Sequence, residues 1–383
     1  MRRPTKQSRT LLAPIGSKSV LLALVLALLL PASAGARAEW VVEGRGFGHG
    51  VGMSQYGAYG FAIHGKGYRA ILAHYYRGTA IGRLAQARVV RVLLDVSRGG
   101  VGFSGATSAC GKALSPDLDY EARRSGATVR LRSGAGKPLA NCGPKLRAAG
   151  AGRVEIDGNG AYRGVLELVP TESDAGALNV INAVPVDQYV KGVVPNESPP
   201  SWPQAALRAQ ALAARSFALS AQVDGNGFDL YDTVSSQVYE GIESETASTN
   251  LAANATKGEV VVYGGEIAQT YFSACSGGHT ESVQNVFFGP AIPYLVGVPD
   301  PYDNLCPLHT WTLRFSEAEI SAELGSYLAG RLQRVEIVRR GVSPRIVWAR
   351  LHGSGGVTKV RGDQLAAALG GYDRWMTFRR VAG

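Results

Sequence analysis

The sequence predicts an α+β fold made mainly of β strands, with one prominent helix. Between residues 87 and 169, runs rich in Val, Ile and Leu alternate with clusters of Gly, Ser and Asn, which is typical of strands and turns. Residues 201–219 are instead rich in Ala and Leu and contain an early Pro, which is typical of a buried helix. Because 45% of the 383 residues are hydrophobic, a disordered chain is excluded.

The first 38 residues have the pattern of a secretory signal. Five basic residues and no acid precede the apolar run of residues 20–30, which is too short to span a membrane. Small residues follow, so we predict cleavage after Ala34 or Ala38, with an uncleaved membrane anchor as the alternative. Removing this segment lowers the formal charge from +10 to +4, which leaves little support for nucleic acid as a partner. We expect a secreted or wall-associated protein.

The next elements are predicted in chain order. Glycines alternate at positions 44 to 52, which predicts an extended segment with one bare face that another backbone or a flat ligand can approach closely. Two short helices follow, in residues 53–64 and 68–75. After the strand-rich region, Ser201 is the expected N-cap of the prominent helix, with Pro203 in its first turn.

Beyond this helix, the pattern predicts further helices and strands in alternation. The predicted segments are a helix at 245–255, strands at 259–263 and 267–272, a helix after residue 316, strands at 334–339 and 345–351, and a last helix near 362–369.

The four cysteines form two local pairs in the sequence. Cys110 and Cys142 are 32 positions apart, and Cys275 and Cys306 are 31 apart. In an exported chain, two local disulfides are the simplest of the three possible pairings.

One short run combines residues that suit acid–base chemistry. Glu197 is predicted in a turn bracketed by prolines and close to apolar residues, where loss of hydration raises a carboxyl pKa and favours a general acid. Arg208 and Arg215 are seven positions apart and therefore share a helix face. They are candidates to hold Glu197 or to contact substrate; alternatively, all three residues have ordinary surface roles. Asp187 is predicted to be a strand-end turn residue, or at most a hydrogen-bonding partner.

Residues 185–219 resemble the signature of the SpoIID (stage II sporulation protein D)/LytB family, with its valine-rich segment, E-x-P, Trp-Pro and A-Q-A-x-A-A-R. Three further stretches agree with the family: 46–58 (GFGHGVGMSQYGA), 236–241 (SQVYEG) and 271–280 (YFSACSGGHT). In many relatives the first of these stretches closes the domain, whereas here it precedes the rest. A circular permutation explains this order and predicts that residues 40–52 pack beside the C-terminal segment.

The resemblance implies a lytic transglycosylase that cleaves between N-acetylmuramic acid and N-acetylglucosamine in peptide-free glycan strands. The catalytic Glu of the family falls on Glu197, and its important basic positions fall on Arg208 and Arg215. One carboxyl group suffices, because the muramyl C6 hydroxyl attacks C1 and leaves a 1,6-anhydro end. The alternative is a wall-binding protein without catalysis that enhances a separate amidase.

The same resemblance supplies weaker candidates. Substrate-binding residues are expected at His49, Gln55, Tyr56, Gln237, Tyr239, Ser273 and His279. Some relatives bind zinc, so a Cys275, His279, Cys306 and His309 set is the alternative to the second disulfide, and no other cofactor is expected. The expected partners are glycan strands and a cell-wall amidase.

The predicted organisation has five parts. They are a signal peptide (1–38), a permuted glycan-cleft segment (39–83), a β-rich subdomain (84–178), a catalytic core (179–315), and a C-terminal α/β segment that packs with the N-terminal one (316–383).

Overall fold

The structure is a computed structural model that describes residues 38–223 and 225–382. It has a mixed α+β fold with more strand than helix, as the sequence predicts. Residues 1–37 of the predicted signal lie outside the described residues. In the part of the chain that is described, no helix is both long enough and apolar enough to cross a membrane.

The N-terminal segment contributes strands to three different sheets. Its elements are β1 (Glu39–Arg45), β2 (Met53–Ser54), α1 (Gln55–Ile63), α2 (Tyr68–Tyr75) and β3 (Ala80–Arg83). Both predicted helices are therefore confirmed. Helix α1 begins at Gln55 because the Ser54 hydroxyl accepts a hydrogen bond from the Gly57 amide at 3.0 Å.

The largest sheet in the described part has eleven strands. They are β4 (Val89–Ser97), β5 (Gly100–Ala109), β6 (Lys112–Ala113), β7 (Tyr120–Ser125), β8 (Thr128–Ser133), β9 (Pro138–Asn141), β10 (Leu146–Ile156), β11 (Gly160–Tyr162), β12 (Val165–Pro170), β13 (Leu178–Pro185) and β14 (Leu230–Tyr231). The main path runs β14-β4-β13-β12-β10-β5-β7-β8-β9 and is antiparallel except for the β14–β4 pair. Strand β13 is central and buried along nearly its whole length, so it lacks the alternation of a half-exposed strand.

Two helices cover this sheet and lead to the site. They are α3 (Val186–Glu197) and α4 (Gln204–Ser220). Helix α4 lies between two cores, because Leu207 and Ala211 pack with the large sheet while Ala209 and Leu212 pack with α1 and α2. Small side chains let a helix approach neighbours on both sides, which accounts for the Ala-rich sequence of α4.

The remaining elements complete four smaller sheets. They are α5 (Ala247–Ala255), β15 (Glu259–Tyr263), β16 (Glu266–Ile267), β17 (Phe272–Ser273), α6 (Val283–Val286), a 3-10 turn (Asp303–Leu305), β18 (Thr310–Ser316), α7 (Glu317–Glu323), β19 (Leu332–Arg340), β20 (Ile346–Gly353), β21 (Gly356–Arg361), α8 (Gly362–Ala368) and β22 (Trp375–Val381). The sheet orders are β18-β1-β22, β16-β15-β3, β17-β2 and β19-β20-β21.

The two ends of the described chain pair directly. Strand β1 forms an antiparallel ladder with β22, from Glu39 opposite Val381 to Arg45 opposite Trp375. This is the contact predicted between the N-terminal and C-terminal segments. The five-part division and the circular permutation stay predictions.

The structure corrects three local predictions. Glu197 is the last residue of α3, so the predicted turn before the prominent helix begins only at Ser198. Helix α4 begins at Gln204 with Pro203 at its N-cap, and Ser201 is not the cap. The glycine-rich segment is not extended after Arg45, because Gly46, Gly48, Gly50 and Gly52 all have positive φ.

Both predicted disulfides are present. Cys110 is bonded to Cys142 in the β-rich region, with a Cα–Cα distance of 5.2 Å. Cys275 is bonded to Cys306, with a Cα–Cα distance of 6.2 Å.

Candidate active site

A cleft of about 530 Å³ lies where the N-terminal segment meets the end of α3. Its lining comes from six separate stretches of the chain. The lining residues are Phe47, Gly48, His49, Gln55, Asn196, Glu197, Phe217, Val234, Ser235, Ser236, Val238, Tyr271, Phe272, Ser273, Ala274 and Phe287. Glu197 is the sole carboxylate among these described lining residues, and none of them is Lys or Arg.

Glu197 is held in the cleft by two uncharged donors. The Gln55 side-chain amide donates to Oε2 at 3.0 Å, and the Val238 backbone N–H donates to Oε1 at 3.3 Å. These donors come from residues 142 and 41 positions away in the sequence. The carboxyl group is therefore fixed in orientation and forms no ion pair with any residue the structure describes.

Burial raises the pKa of Glu197 above its ordinary value. The hydrogen bonds from Gln55 and Val238 stabilise the ionised form and oppose this shift, but burial is the larger effect. A carboxyl group with a raised pKa keeps more of its proton near neutral pH, as a general acid requires.

Close backbone packing brings Gln55 to Glu197. Strand β2 pairs with β17, which places Ser54 opposite Ser273, and the Tyr56 N–H donates to the Ala274 carbonyl at 3.1 Å. A Cβ added at Gly48 would lie 2.8 Å from the Ser273 Cβ. The close approach predicted from the glycines is confirmed, although left-handed turns rather than an extended segment produce it.

His49 lies in the cleft as a neutral imidazole. Burial, followed by the positive charges of Arg345 and Arg374, lowers its pKa to about 4. Its Nδ1 accepts a hydrogen bond from the Val51 N–H at 2.9 Å, which puts the ring proton on Nε2. The Ser273 hydroxyl, also in the lining, accepts from the Gly50 N–H at 3.2 Å.

Aromatic side chains make up much of the cleft wall. Phe47 and Phe287 are 43% and 46% exposed, and the Phe287 ring centroid lies 4.9 Å from that of Tyr271. Exposed aromatic rings beside a polar floor suit a ligand with apolar ring faces and hydroxyl edges.

Arg215 lies outside the cleft. The expectation that it contacts Glu197 or a substrate directly is therefore wrong. Its side chain is fully buried. Nε donates to Asp187 Oδ1 at 2.8 Å and Nη1 donates to the Glu259 carbonyl at 3.0 Å. Asp187 lies in the first turn of α3 and not at a strand end, which corrects its prediction as well. Arg215 therefore joins α3, α4 and the chain before β15.

Arg208 also lies away from the cleft. It is nine positions before Phe217, so the two side chains project from roughly opposite sides of α4. Arg208 forms no ion pair with the described residues, and its Nε is buried without a hydrogen-bond partner there. The shared face of the two arginines is correctly predicted, but that face points away from Glu197.

Four other predicted substrate-binding residues do not line the cleft. Tyr56 packs its ring against Trp202 at 5.1 Å, and Gln237 is buried, with its Oε1 accepting from the Tyr189 hydroxyl at 3.0 Å. Tyr239 is buried and donates to Asn182 Oδ1 at 2.8 Å. The remaining residue is His279, whose Nδ1 donates to the Thr280 carbonyl at 2.7 Å. These four side chains contact other parts of the fold, whereas His49, Gln55 and Ser273 do reach the cleft.

The predicted zinc set does not fit a metal. Cys275 and Cys306 are joined to each other, so neither offers a thiolate. His309 is held between Asp303, at 2.9 Å from Nδ1, and the Arg45 guanidinium. Within residues 38–223 and 225–382, no group of three or more His, Cys, Asp or Glu side chains is arranged to bind a metal ion.

Residues 174–263 match the family model of the stage II sporulation protein SpoIID. The matched segment contains α3, α4 and Glu197. Residues 174–263 are thus a region of the SpoIID family. The matched segment also includes the stretch 236–241, whereas the stretches 46–58 and 271–280 lie outside it.

Three curated relatives show how far the similarity extends. An uncharacterized protein of Brachyspira hyodysenteriae is 41% identical over 43% of this chain and 45% of its own length. The stage II sporulation protein D of Bacillus amyloliquefaciens is 32% identical over 50% of this chain and 59% of its own length. The amidase enhancer of Bacillus subtilis is 37% identical over 35% of this chain and 18% of its own length. The chain thus spans less than two thirds of each of these relatives.

Sequence reasoning missed how Glu197 is held. Gln55 was predicted to contact substrate, yet its amide donates to Glu197, and the Val238 N–H carries no side-chain signal. The GMSQYGA motif did mark Gln55 as a site residue, but only the fold shows which group it contacts.

Proposed function

We propose that this protein is a lytic transglycosylase that cleaves glycan strands of peptidoglycan after N-acetylmuramic acid, with Glu197 as its acid and base. The observation that carries the proposal is a single carboxyl group of raised pKa, half-buried in an aromatic cleft and held by neutral donors. The match of residues 174–263 to the SpoIID family model, and the similarity to a stage II sporulation protein D, support the same substrate class.

The number of carboxyl groups selects among ways to break a glycosidic bond. Retaining hydrolases place two carboxyl groups about 5 Å apart, and inverting ones place them about 6.5–9.5 Å apart. Glu197 has no such partner among the described lining residues. A reaction in which the substrate supplies its own nucleophile needs one carboxyl group only.

The proposed reaction moves one proton out of Glu197 and one back. The protonated carboxyl group donates to the glycosidic oxygen while the bond from that oxygen to muramyl C1 breaks. The carboxylate then takes the proton of the muramyl C6 hydroxyl as O6 bonds to C1. One product ends in 1,6-anhydro-N-acetylmuramic acid and the other in a free C4 hydroxyl, and no water is consumed.

The residues around Glu197 have distinct proposed roles. Gln55 and the Val238 N–H orient the carboxyl group, and they stabilise its charge between the two proton transfers. His49 lines the cleft as a ring that stays neutral at physiological pH. Phe47 and Phe287 provide stacking surfaces for sugar rings.

A non-catalytic role is the second candidate. One relative is named amidase enhancer, and a cleft without Lys or Arg in its described lining also suits a protein that only holds glycan. In that case a cell-wall amidase would be the partner. Either role places the protein outside the cytoplasm, in the wall or secreted, as the predicted signal implies.

Digestion of purified, stem-free glycan tests the proposal. Products are separated and weighed after incubation with the wild-type chain or with Glu197→Gln, in ordinary water and in ¹⁸O-enriched water. We expect 1,6-anhydro ends without ¹⁸O from the wild type and none from the variant. New reducing ends that carry ¹⁸O would indicate a hydrolase, and binding without any product would favour the enhancer role.

A further inference from the structure

A pair of aromatic rings, one exposed and one partly buried, lies beside the cleft. Phe288 follows Phe287 of the cleft wall, is 38% exposed, and has its ring centroid 5.6 Å from that of Trp348 on β20. We call Phe288, Trp348 and the cations around them, Arg339, Lys359 and Arg361, the Phe288 patch.

The backbone of Phe288 is strained in a way that its packing does not explain. Its φ is 57°, in the left-handed region that bulky side chains rarely adopt. A buried ring can offset such strain by filling a core, but this ring remains on the surface. Strain of this kind concentrates at ligand-binding positions.

Three cations surround the aromatic pair. The sheet register places Arg339 on β19 and Arg361 on β21 on either side of Trp348. Lys359 Nζ lies 4.3 Å from the Trp348 ring centroid, and the Arg361 guanidinium carbon lies 5.2 Å from that of Phe288. The rings and the cations therefore present one continuous surface.

These cations are only partly neutralised. Arg361 pairs with Asp363 at 3.0 Å. Arg339 donates to the neutral Asn285 Oδ1 at 2.9 Å, and neither Arg339 nor Lys359 forms an ion pair with a described residue. The patch keeps an excess of positive charge, in contrast to the cleft, whose described lining has no cation.

We propose that the Phe288 patch binds carboxylate-bearing sugars of the glycan strand on one side of the cleavage site. Each N-acetylmuramic acid of a stem-free strand has an apolar ring face and a free lactyl carboxylate, which match a ring platform beside unpaired cations. Continuity through Phe287 gives the strand a path from the cleft to the patch. The inference rests on the proposed glycan substrate and adds a second contact outside the cleft that selects strands with free carboxylates.

Binding is measured in the Glu197→Gln background, so that no ligand is consumed. The ligands are a stem-free glycan oligosaccharide, the same oligosaccharide with its carboxylates converted to methyl amides, and a single-stranded oligonucleotide of similar length. Lys359→Glu should weaken binding of the carboxylated glycan about tenfold at low salt. It should change binding of the amidated glycan less than about twofold. Lys137→Glu, which changes the charge equally at an exposed turn elsewhere, is the control and should have no effect.

Phe288→Gly separates binding from a merely structural role. Glycine suits a positive φ, so this variant should melt at the same temperature or higher while binding both glycans about fivefold more weakly. A lower melting temperature with unchanged binding would assign Phe288 to stability and overturn its part in the patch.

Other outcomes also decide the proposal. Equal glycan binding by Lys359→Glu and Lys137→Glu would overturn it, and so would tighter binding of the oligonucleotide than of either glycan. The digestion assay with Glu197 intact is independent. If Lys359→Glu loses glycan binding but the wild-type protein cleaves no glycan, the patch is supported and the transglycosylase is refuted. If the wild-type protein cleaves glycan but binding does not depend on Lys359, the transglycosylase is supported and the patch is refuted.

Discussion

Helix α3 carries a carboxylate near each end, and the two are held in opposite ways. Asp187, in the first turn, accepts from the Arg215 guanidinium at 2.8 Å and from the Gly258 N–H at 3.0 Å. Glu197, the last residue, accepts only from the Gln55 amide and the Val238 N–H. One end has a buried cation, and the other has uncharged donors and a cleft.

This difference separates a carboxylate that stabilises the fold from one that suits the proposed proton transfer. The buried Arg215 guanidinium needs a carboxylate partner, because an unpaired buried charge is strongly destabilising. Asp187 therefore serves to join the helices. Neutral donors orient Glu197 without fixing its charge, and burial then raises its pKa. A group that must give up a proton and take one back needs the second arrangement.

The largest expected effect is on activity, from Glu197→Gln. Removing a general acid should lower the rate of glycan cleavage by about 10²- to 10⁴-fold. The raised pKa means that ionised Glu197 costs stability, so the variant should be more stable than wild type above that pKa and equal to it in acid. Rates and unfolding curves across pH check both expectations. Glu172→Gln, at an exposed position, is the control, and a variant retaining more than a tenth of the activity would contradict the assignment.

The next effect is on stability, from Arg215→Met. It leaves Asp187 without its cation and removes the donors to the Glu259 and Ala253 carbonyls. The free energy of unfolding should therefore fall by about 3–5 kcal/mol. Arg208→Met on the same helix face is the matched comparison and should cost no more than about 1 kcal/mol. Equal losses of unfolding free energy in denaturant titrations of the two variants would show that the ion pair with Asp187 adds no stability.

The two disulfides extend the comparison to regions near and far from the cleft. Their loops are nearly equal in length, so replacing either pair with Ser should lower stability by a similar amount, about 3–4 kcal/mol. Cys275 also exchanges both backbone hydrogen bonds with Phe47 of the cleft wall. Losing its disulfide should therefore reduce glycan cleavage at temperatures where both variants remain folded, whereas losing Cys110–Cys142 should not. Equal activities would show that this cleft wall needs no covalent support.

The smallest expected effect is a change in pH dependence, from Gln55→Met. The Gln55 amide stabilises ionised Glu197, so its removal should raise the Glu197 pKa further. The alkaline limb of the kcat/KM profile should move to higher pH, and kcat should fall because the carboxyl group is less well oriented. A limb that stays in place or moves toward acid would mean that Gln55 does not act on Glu197.

The elements whose formation depends on nearby residues were predicted correctly from local sequence patterns. Helices α1 and α2, β15 and the two disulfides follow from periodicity, capping and cysteine spacing. Helix α3 was missed, because Pro195 and the valines around it favour a strand and turn when considered alone. Burial against the large sheet overrides that preference.

The central residue of the site could be predicted from the sequence, but the contacts that hold it could not. Motif resemblance identified Glu197, Gln55 and His49, which the fold brings to one cleft. The same motif led to Arg215 as a catalytic residue, yet its partner Asp187 lies on another helix and no spacing predicts that pair. Contacts between elements, such as Gln55 with Glu197, depend on how the sheets and helices pack.

Direct titration of the Glu197 carboxyl group tests the central claim most closely. In protein labelled with ¹³C at the Glu side-chain carboxyl carbon, the signal missing from Glu197→Gln identifies this residue. We predict a titration midpoint above about 4.3, the ordinary value for Glu. A midpoint at or below that value would leave Glu197 ionised like a surface acid, and it would contradict the account of this cleft as a site of proton transfer.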